Sequence, residues 1–203
     1  MEFWNSLLTE KSWDVLKQLK TKDFRFIVIG GWAAYLWTRQ HKSKDIDIII
    51  PEIKDLKVLG NHYNLNKNDN LKKYEIKIDE IDIDIYVPYY SNFPIPMKVI
   101  VKNTTKIESF EVVGPEILLI LKQGAELDRK ESIKGQKDRI DIMTLLCYLK
   151  IDFKFYNSLI EEHKLTDYRR RLKEIIMGFK EVKHLEINLN EYSKIKKKLL
   201  EQI

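Results

Sequence analysis

The sequence predicts an α+β fold, in which a mixed β-sheet flanked by helices is followed by a C-terminal helical module. Two observations predict it. Up to residue 113, short apolar or alternating runs typical of strands come between segments with helical spacing. After Gly114-Pro115, apolar residues recur at helical spacing only. We therefore expect two domains, an α/β core over residues 1–113 and a helical module over residues 114–203.

The first elements are two helices and two buried strands. Apolar residues at helical spacing predict a helix over Leu7–Leu19. The almost wholly apolar run Phe24–Ile29 is typical of a buried strand. Gly30-Gly31 ends this strand, and the alanines and leucine of Trp32–Trp37 predict a short helix directly after it. A second strand is predicted over Asp45–Ile50, where a proline follows.

The middle of the chain is predicted to contain one helix and two pairs of strands. A helix over Glu52–Leu59 is closed by Gly60, and the asparagine-rich segment His62–Asn70 is predicted to be a loop. Alternating apolar residues predict the strands. They are Tyr74–Ile78 with Ile81–Val87, joined as a hairpin, and Met97–Val101 with Ile107–Val113.

The second half is predicted to be wholly helical. Pro115 suits the first turn of a helix, because proline lacks the N–H that this turn leaves unpaired. The predicted helices are Glu116–Leu127, Lys137–Leu149, Phe153–Glu162, Asp167–Phe179 and Leu189–Ile203.

Composition narrows the class of protein. Of the 203 residues, 44% are hydrophobic and 33% are charged, which is typical of a globular, water-soluble protein. The apolar runs are too short for a membrane span, and the single cysteine, Cys147, excludes an internal disulfide and a cysteine-based zinc site. We therefore expect a cytoplasmic protein with no membrane partner. The net charge of +5, with runs at Arg169–Arg171 and Lys196–Lys198, suits either an anionic partner or solvated helix faces.

One four-residue string occurs twice. Asp45-Ile46-Asp47-Ile48 and Asp82-Ile83-Asp84-Ile85 each lie within a predicted strand. Because side chains alternate across a strand, the two aspartates of each string share one face and the isoleucines share the other. If the two strands are neighbours, up to four carboxylates crowd one patch. Two such charges about 4 Å apart repel by about 4 kcal/mol at an effective dielectric of 20.

A divalent cation is the natural counter-ion for this patch, since no arginine within the two strands offsets the repulsion. Oxygen-only ligands favour Mg²⁺ or Mn²⁺. The alternative is that the aspartates are solvent-facing strand positions without a function. Aspartate is a poor strand former, which counts against four of them at a period of two.

Gly30-Gly31 is the second candidate feature. A glycine pair between a buried strand and a helix exposes backbone N–H groups that bind phosphate at the helix N-terminus. A simple tight turn is the alternative explanation. Together with the acidic strand that begins at Asp45, the glycines indicate a site for a nucleoside triphosphate and its metal ions.

This combination resembles the nucleotidyltransferase superfamily typified by polymerase β. The superfamily motif is a glycine pair, a helix, an Asp-hydrophobic-Asp pair and a third carboxylate on a later strand. The matching residues here are Gly30, Gly31, Asp45, Asp47 and Asp84, with Asp82 as the alternative third carboxylate. A narrower resemblance, to the AbiEii-type abortive-infection toxins and their archaeal relatives, extends the match over residues 24–148. It is carried by Pro115-Glu116, Lys122, Ala125, Arg129, Lys137-Asp138 and Asp141.

The resemblance implies a nucleotidyltransferase-type sheet and a reaction that moves an NMP from an NTP, such as ATP, to an acceptor hydroxyl. It also implies two Mg²⁺ or Mn²⁺ ions as cofactors. Their ligands would be Asp45, Asp47 and Asp84, with Asp82 as the alternate for the third position.

The same resemblance implies how the nucleotide is bound. Gly30 and Gly31, with Ser43 nearby, would cradle the phosphates. The helical module would complete the active-site cleft. From it, Lys122 would neutralise charge on the triphosphate, and Asp138 would orient Lys122 or the nucleotide.

The acceptor is left open between three hypotheses. In the first it is RNA, such as the 3′ end of a tRNA, and the protein is a toxin with an antitoxin protein as its partner. In the second, the same chemistry modifies a protein or small-molecule hydroxyl, as in adenylylation. In the third, the protein is a non-catalytic module that binds a nucleotide or a partner chain. The sequence lacks a P-loop, a Gly-x-Gly-x-x-Gly run and a Gly-x-Ser-x-Gly run, which excludes P-loop ATPases, dinucleotide binding by that fingerprint and the serine-hydrolase elbow.

Overall fold

Seven strands form one mixed sheet in the first half of the chain, in a computed structural model that describes residues 6–203. In chain order they are β1 (Ile27–Ile29), β2 (Ile46–Ile49), β3 (Asn66–Asn68), β4 (Lys73–Ile78), β5 (Ile81–Tyr86), β6 (Thr104–Ile107) and β7 (Phe110–Val113). Across the sheet the order is β3-β4-β5-β2-β1-β7-β6. The pairs β1–β7 and β2–β5 are parallel, and the other neighbours are antiparallel.

The chain divides into two compact units, Met1–Gly114 and Pro115–Ile203. In the first unit, the described helices are α1 (Ser6–Leu19), α2 (Gly30–Thr38), α3 (Ile53–His62) and α4 (Met97–Lys102). In the second they are α5 (Pro115–Arg129), α6 (Ile133–Tyr148), α7 (Phe153–Glu162), α8 (Thr166–Gly178) and α9 (Leu189–Gln202), with a short 3₁₀ turn over Val182–Leu185. The mixed sheet with its helices confirms the predicted α+β class. Over residues 6–203, no helix combines the length and apolar character needed to cross a bilayer.

Isoleucines of the two central acidic strands form much of the core of the first unit. On β5, Ile81, Ile83 and Ile85 are buried while the residues between them are partly exposed. On β2, Ile46 and Ile48 are fully buried. Each such side chain contributes about 1.5–3 kcal/mol to folding. A slip of one residue would bury the aspartates instead, so the isoleucines fix the register of both strands.

Two tryptophans hold α2, the helix that begins with the glycine pair. Trp32 is fully buried, stacks on Trp13 of α1 with ring centroids 5.0 Å apart, and donates a hydrogen bond from Nε1 to Ser12 Oγ (2.9 Å). Trp37 donates from Nε1 to the carbonyl of Val113 at the end of β7 (2.8 Å). The position of α2 on the sheet is therefore fixed by packing and by hydrogen bonds at both ends.

The predicted strand over Met97–Val101 is wrong, because this segment is helix α4. Pro96 precedes the helix, and its carbonyl accepts a hydrogen bond from the Val99 N–H (2.9 Å). A short apolar run fits a strand and a helix equally well by periodicity. The second strand pair is instead β6 with β7, on either side of a tight turn.

Two further expectations for the first unit are wrong. Gly60 does not end α3, which continues to His62, and a Cβ at position 60 would meet nothing within 4 Å. The predicted loop over His62–Asn70 contains β3, whose residues pair with β4. This strand is short, polar and at the sheet edge, so it buries neither face and has no hydrophobic pattern.

The second unit is built on α5 and α6, whose facing sides are buried. α6 begins at Ile133, earlier than the predicted Lys137, because Ser132 caps it by accepting a hydrogen bond from the Gly135 N–H (3.0 Å). Position 135, in the first turn of α6, has no room for a side chain. A Cβ there would lie 2.3 Å from the carbonyl oxygen of Arg129.

A fully buried carboxylate ties three helices of the second unit together. Glu126 of α5 accepts hydrogen bonds from Arg139 of α6 (2.9 Å) and from Arg171 of α8 (2.9 Å). Burial alone would raise the pKa of Glu126, but the hydrogen bonds from the two guanidinium groups outweigh it and the net pKa is lowered. The cluster therefore favours a charged Glu126 within the folded unit.

Candidate functional site

The two copies of the repeated acidic string lie on neighbouring strands. β2 and β5 are parallel partners, and Asp47 stands opposite Asp84 in their register. The isoleucines of both strands are buried on the other face, so the two carboxylates lie on the same face. Neighbouring strands are about 4.8 Å apart, which is close enough for the two charges to interact strongly. The two acidic strands are therefore neighbours, and Asp47 and Asp84 are the carboxylates that their register brings together.

A third carboxylate lies beside this pair, so that Asp47, Asp84 and Glu75 form a row of acids across the sheet. Glu75 of β4 stands opposite Asp84 on the other side of β5. Glu75 is not among the site residues that the sequence predicts. The hairpin register between β4 and β5 is the signal that could have found it, because a short turn fixes which residues stand opposite each other.

Lys73, at the start of β4, reaches into the row. Its ammonium lies 2.6 Å from Asp84 Oδ2 and 3.0 Å from Glu75 Oε1, and its side chain is only 12% exposed. The two acidic strands contain no arginine, but this lysine on the next strand supplies a positive charge. The expected absence of an arginine from the two strands therefore does not leave the carboxylates without a cation. One ammonium partly neutralises the row.

The charge state of Asp84 reflects these neighbours. Burial, and then the negative charge of Asp47, raise the pKa of Asp84 to about 6, although the hydrogen bond from Lys73 acts in the opposite direction. Burial lowers the pKa of Lys73, but hydrogen bonds to Asp84 and Glu75 outweigh it and the net pKa is raised. The site therefore contains a charged Lys73 and an Asp84 carboxylate that loses its proton less readily than an ordinary aspartate.

Gly30 packs directly on the Asp47 carboxylate. Its φ is +64°, in the left-handed region that favours glycine, and a Cβ at this position would lie 2.1 Å from Asp47 Oδ2. Gly31 stands in the same relation to Ser43, since a Cβ there would lie 2.5 Å from Ser43 Oγ. The pair forms the first turn of α2, whose first N–H groups have no partner within the helix. The glycines, Ser43 and Asp47 therefore lie together at a helix N-terminus that can bind an anion.

Asp45 and Asp82 are not beside the Asp47–Asp84 pair in the strand register. Asp45 is in a bend just before β2, so the predicted strand Asp45–Ile50 begins one residue too early. Asp82 is on β5 but stands opposite Lys77 of β4, with 4.0 Å between the ammonium and a carboxylate oxygen. The register therefore brings Asp84, rather than Asp82, alongside Asp47. The choice of Asp84 over Asp82 as the third ligand stays a prediction.

The donor set suits a magnesium ion that is shared with a substrate. Within residues 6–203, no three or more carboxylate, imidazole or thiol groups are arranged to hold a metal ion by themselves. Proteins often bind Mg²⁺ with one or two carboxylates plus substrate phosphates, and the Asp47–Asp84 pair beside a helix N-terminus provides such a set. The Lys73 ammonium on Asp84 marks a position where a cation is favourable.

Lys122 and Asp138 belong to the second unit, where they lie in a buried ionic network. Lys122 Nζ is 2.6 Å from Asp141 Oδ2 and 3.5 Å from Asp138 Oδ1. Arg129 donates two hydrogen bonds to Asp138, at 2.8 and 3.1 Å. Lys122 and both aspartates are more than nine-tenths buried. Asp141 is therefore the nearer partner of Lys122, while Asp138 is shared with Arg129.

Comparisons with known proteins give similarities of fold only. No protein-family model matches the chain. No curated protein sequence matches it either. Among solved structures, it is similar to an antigenic nucleotidyltransferase-like protein from Paracoccidioides brasiliensis, with 16% identity, a TM-score of 0.42, and coverage of 70% of this chain and 77% of the other. It is also similar to JHP933 from Helicobacter pylori, with 15% identity, a TM-score of 0.42, and coverage of 89% and 87%.

Proposed function

We propose that the protein is a metal-dependent nucleotidyltransferase that moves an NMP from an NTP to an acceptor hydroxyl. One observation carries the proposal. Asp47 and Asp84 stand side by side on neighbouring strands, and Asp47 is in contact distance of the glycine turn that begins α2. Paired carboxylates beside an anion-binding helix N-terminus are what a metal–triphosphate substrate requires.

The proposed ligands of two Mg²⁺ or Mn²⁺ ions are Asp45, Asp47 and Asp84. When bound, the ions supply charge stabilisation for the attacking and leaving oxygens. The N–H groups of Gly30 and Gly31, with the Ser43 hydroxyl, bind the β- and γ-phosphates and hold the α-phosphorus in line with the acceptor.

In the reaction, the acceptor oxygen forms a bond to the α-phosphorus, and the bond from that phosphorus to the bridging oxygen of pyrophosphate breaks. The acceptor proton passes to Asp84. Without metal, burial and the charge of Asp47 raise the pKa of this carboxylate to about 6, so it is still largely ionised near neutral pH and can accept a proton. Pyrophosphate then leaves with the electron pair of the broken P–O bond.

The proposal extends to Lys122, whose ammonium would offset the charge of the triphosphate. Its burial beside Asp141 and Asp138 keeps the ammonium in a fixed position, which lowers the cost of orienting it during the reaction. Asp138 and Asp141 are positioning residues in this scheme. Asp138 would act on Lys122 together with Arg129, which it also binds.

RNA, such as the 3′ end of a tRNA, is the proposed acceptor, with the protein acting as a toxin that an antitoxin protein controls. The basic run at Arg169–Arg171 supports it less than the sequence suggested, because all three side chains form ion pairs with acids of the second unit. These acids are Glu161 for Arg169, Asp167 and Glu174 for Arg170, and Glu126 and Glu174 for Arg171. Lys197 and Lys198 are exposed and keep a small surface for a polyanion, whereas Lys196 is half-buried and donates a hydrogen bond to the carbonyl of Met177 (2.7 Å).

A label-transfer assay tests both the activity and the acceptor. The protein is mixed with Mg²⁺, one of four α-phosphate-labelled NTPs at a time, and total RNA. We expect label in RNA that ribonuclease removes. Label that resists nuclease and is lost to protease would support adenylylation of a protein instead. If no NTP labels anything, with Mg²⁺ or Mn²⁺, the enzyme assignment is wrong, and NTP binding without turnover would then indicate a non-catalytic module.

A further inference from the structure

We infer that Lys73 is an internal counter-ion of the candidate metal site, which a divalent cation must displace from Asp84 in order to bind. The inference rests on the proposed function, because it concerns the same pair of carboxylates. It goes further by giving the site a built-in competitor, so that the protein's affinity for metal is set by one lysine outside the acidic strands.

The geometry places the ammonium where a cation would bind. Lys73 Nζ lies 2.6 Å from Asp84 Oδ2, a distance typical of a strong charge-assisted hydrogen bond. Both side chains are largely buried, with exposures of 12% for Lys73 and 21% for Asp84. Water therefore screens the contact poorly. An ammonium and a divalent cation cannot share one carboxylate oxygen at such a distance, because they repel each other strongly in a poorly solvated site.

Glu75 is a second hydrogen-bond acceptor for the displaced ammonium. Glu75 Oε1 already lies 3.0 Å from Lys73 Nζ, and Glu75 is in turn held by a hydrogen bond from Asn68 Nδ2 (3.0 Å). Lys73 and Glu75 are both on β4, at an i,i+2 spacing that puts them on one face of the sheet. The ammonium can therefore leave Asp84 and keep a charged partner.

Lys77 provides a matched control, since it lies on the same strand and also stands near an acid of β5. Its ammonium is 4.0 Å from Asp82, and its side chain is 70% exposed, so water screens this pair. Removing Lys77 changes the net charge by the same amount as removing Lys73. It leaves Asp84 untouched.

The test is calorimetric titration of Mn²⁺ into the metal-free protein, first without nucleotide. We expect Lys73→Met to bind Mn²⁺ at least tenfold more tightly than the wild type, and Lys77→Met to remain within twofold of it. Lys73→Arg keeps the charge, so its affinity should stay near the wild-type value. Lys73→Gln, which is neutral but can still donate a hydrogen bond to Asp84, should gain affinity as Lys73→Met does, and it serves if the methionine variant does not fold.

Different failures point to different conclusions. If the wild type binds Mn²⁺ and both neutral Lys73 variants bind it with the same or lower affinity, the counter-ion inference is wrong while the metal site stands. If Asp47→Asn and Asp84→Asn abolish a measurable wild-type signal, the metal site is at the proposed carboxylates. If neither the wild type nor any Lys73 variant binds Mn²⁺, with or without a non-hydrolysable NTP analogue, the proposed metal site fails and the inference fails with it.

Discussion

The Oδ2 atom of Asp47 occupies the space that a side chain on Gly30 would need, 2.1 Å from the position of its Cβ. The backbone of Gly30 also has a positive φ of 64°, which other residues adopt only at a cost. The glycine turn and the first acidic strand are therefore one structural unit, and a change in either should disturb the other.

Gly30→Ala should destabilise the protein by about 2–4 kcal/mol, since it combines a positive φ with a collision against a carboxylate. Urea denaturation measures the loss, and label transfer should fall with it. Gly60→Ala is the matched control. Position 60 lies within α3 with nothing near its Cβ, so alanine should stabilise the protein by about 0.5–1 kcal/mol. An equal effect of the two substitutions would contradict the close packing of Gly30 on Asp47.

Asp47→Asn and Asp84→Asn should each lower label transfer by at least about a thousandfold, because each removes a proposed metal ligand. Asp82→Asn should stay within about threefold of the wild type, since Asp82 stands opposite Lys77 and not beside Asp47. Circular dichroism confirms that the variants fold. A large loss with Asp82→Asn and none with Asp84→Asn would reverse the choice of the third ligand.

Asp47→Asn should also stabilise the metal-free protein, by about 1 kcal/mol in urea denaturation near neutral pH. The negative charge of Asp47 is one of the causes that raise the pKa of Asp84, and its removal relieves a repulsion that the folded state must bear. A variant that is less active and more stable indicates a site whose charges serve function rather than folding. A destabilised variant would show that Asp47 is needed for packing.

Glu126→Gln should destabilise the protein by about 3–5 kcal/mol, because it leaves Arg139 and Arg171 without their shared buried carboxylate. The pKa of Glu126 is lowered in the folded protein, so its contribution to stability is present above the ordinary glutamate value of about 4.5. It is lost as the pH falls through the lower folded value. Urea denaturation between about pH 3 and pH 6 should show this loss in the wild type and not in the variant, with Glu201→Gln on the exposed end of α9 as control.

Cys147 should react slowly with thiol reagents in the native protein. Burial, and then the charge of Glu191, raise the pKa of the Cys147 thiol from 9.0 to about 12. Since the thiolate is the reactive form, its fraction near pH 8 falls by about a thousandfold, and the rate should fall similarly. Comparing the native protein with the same protein in guanidinium chloride measures this ratio. Rapid labelling of the native thiol would contradict the raised pKa of this half-buried group.

The sequence predicted the helices and strands in which apolar residues recur with a clear period. The doubled aspartate–isoleucine string has a period of two, and one buried face then dictates both the strands and the side of the sheet that carries the acids. The helices of the second half follow for the same reason, with α7 at its predicted bounds of Phe153–Glu162. Local pattern and tertiary burial agree at these positions.

The parts that the sequence did not predict depend on neighbours that are set by tertiary structure. Lys73 and Glu75 join the acidic row only because the hairpin register of β4 on β5 places them there. β3 has no buried face, so nothing in its composition marks it as a strand. The nearer partner of Lys122 is Asp141, which depends on how α5 and α6 pack. The short hairpin turn encodes the register of β4 on β5, whereas no local pattern encodes how α5 packs on α6 or where β3 pairs.

Because Trp32 is buried next to the glycine turn, the intrinsic tryptophan fluorescence of the protein can report on ligand binding there. This indole directly follows Gly31 and is stacked on Trp13, so its fluorescence depends on the position of the first turn of α2. A ligand that draws the backbone of that turn towards itself changes the stacking geometry of two aromatic rings. Nucleotide titrations can therefore be followed by intrinsic emission, with no dye attached, and a variant that replaces Trp13 by phenylalanine would identify the source of the signal.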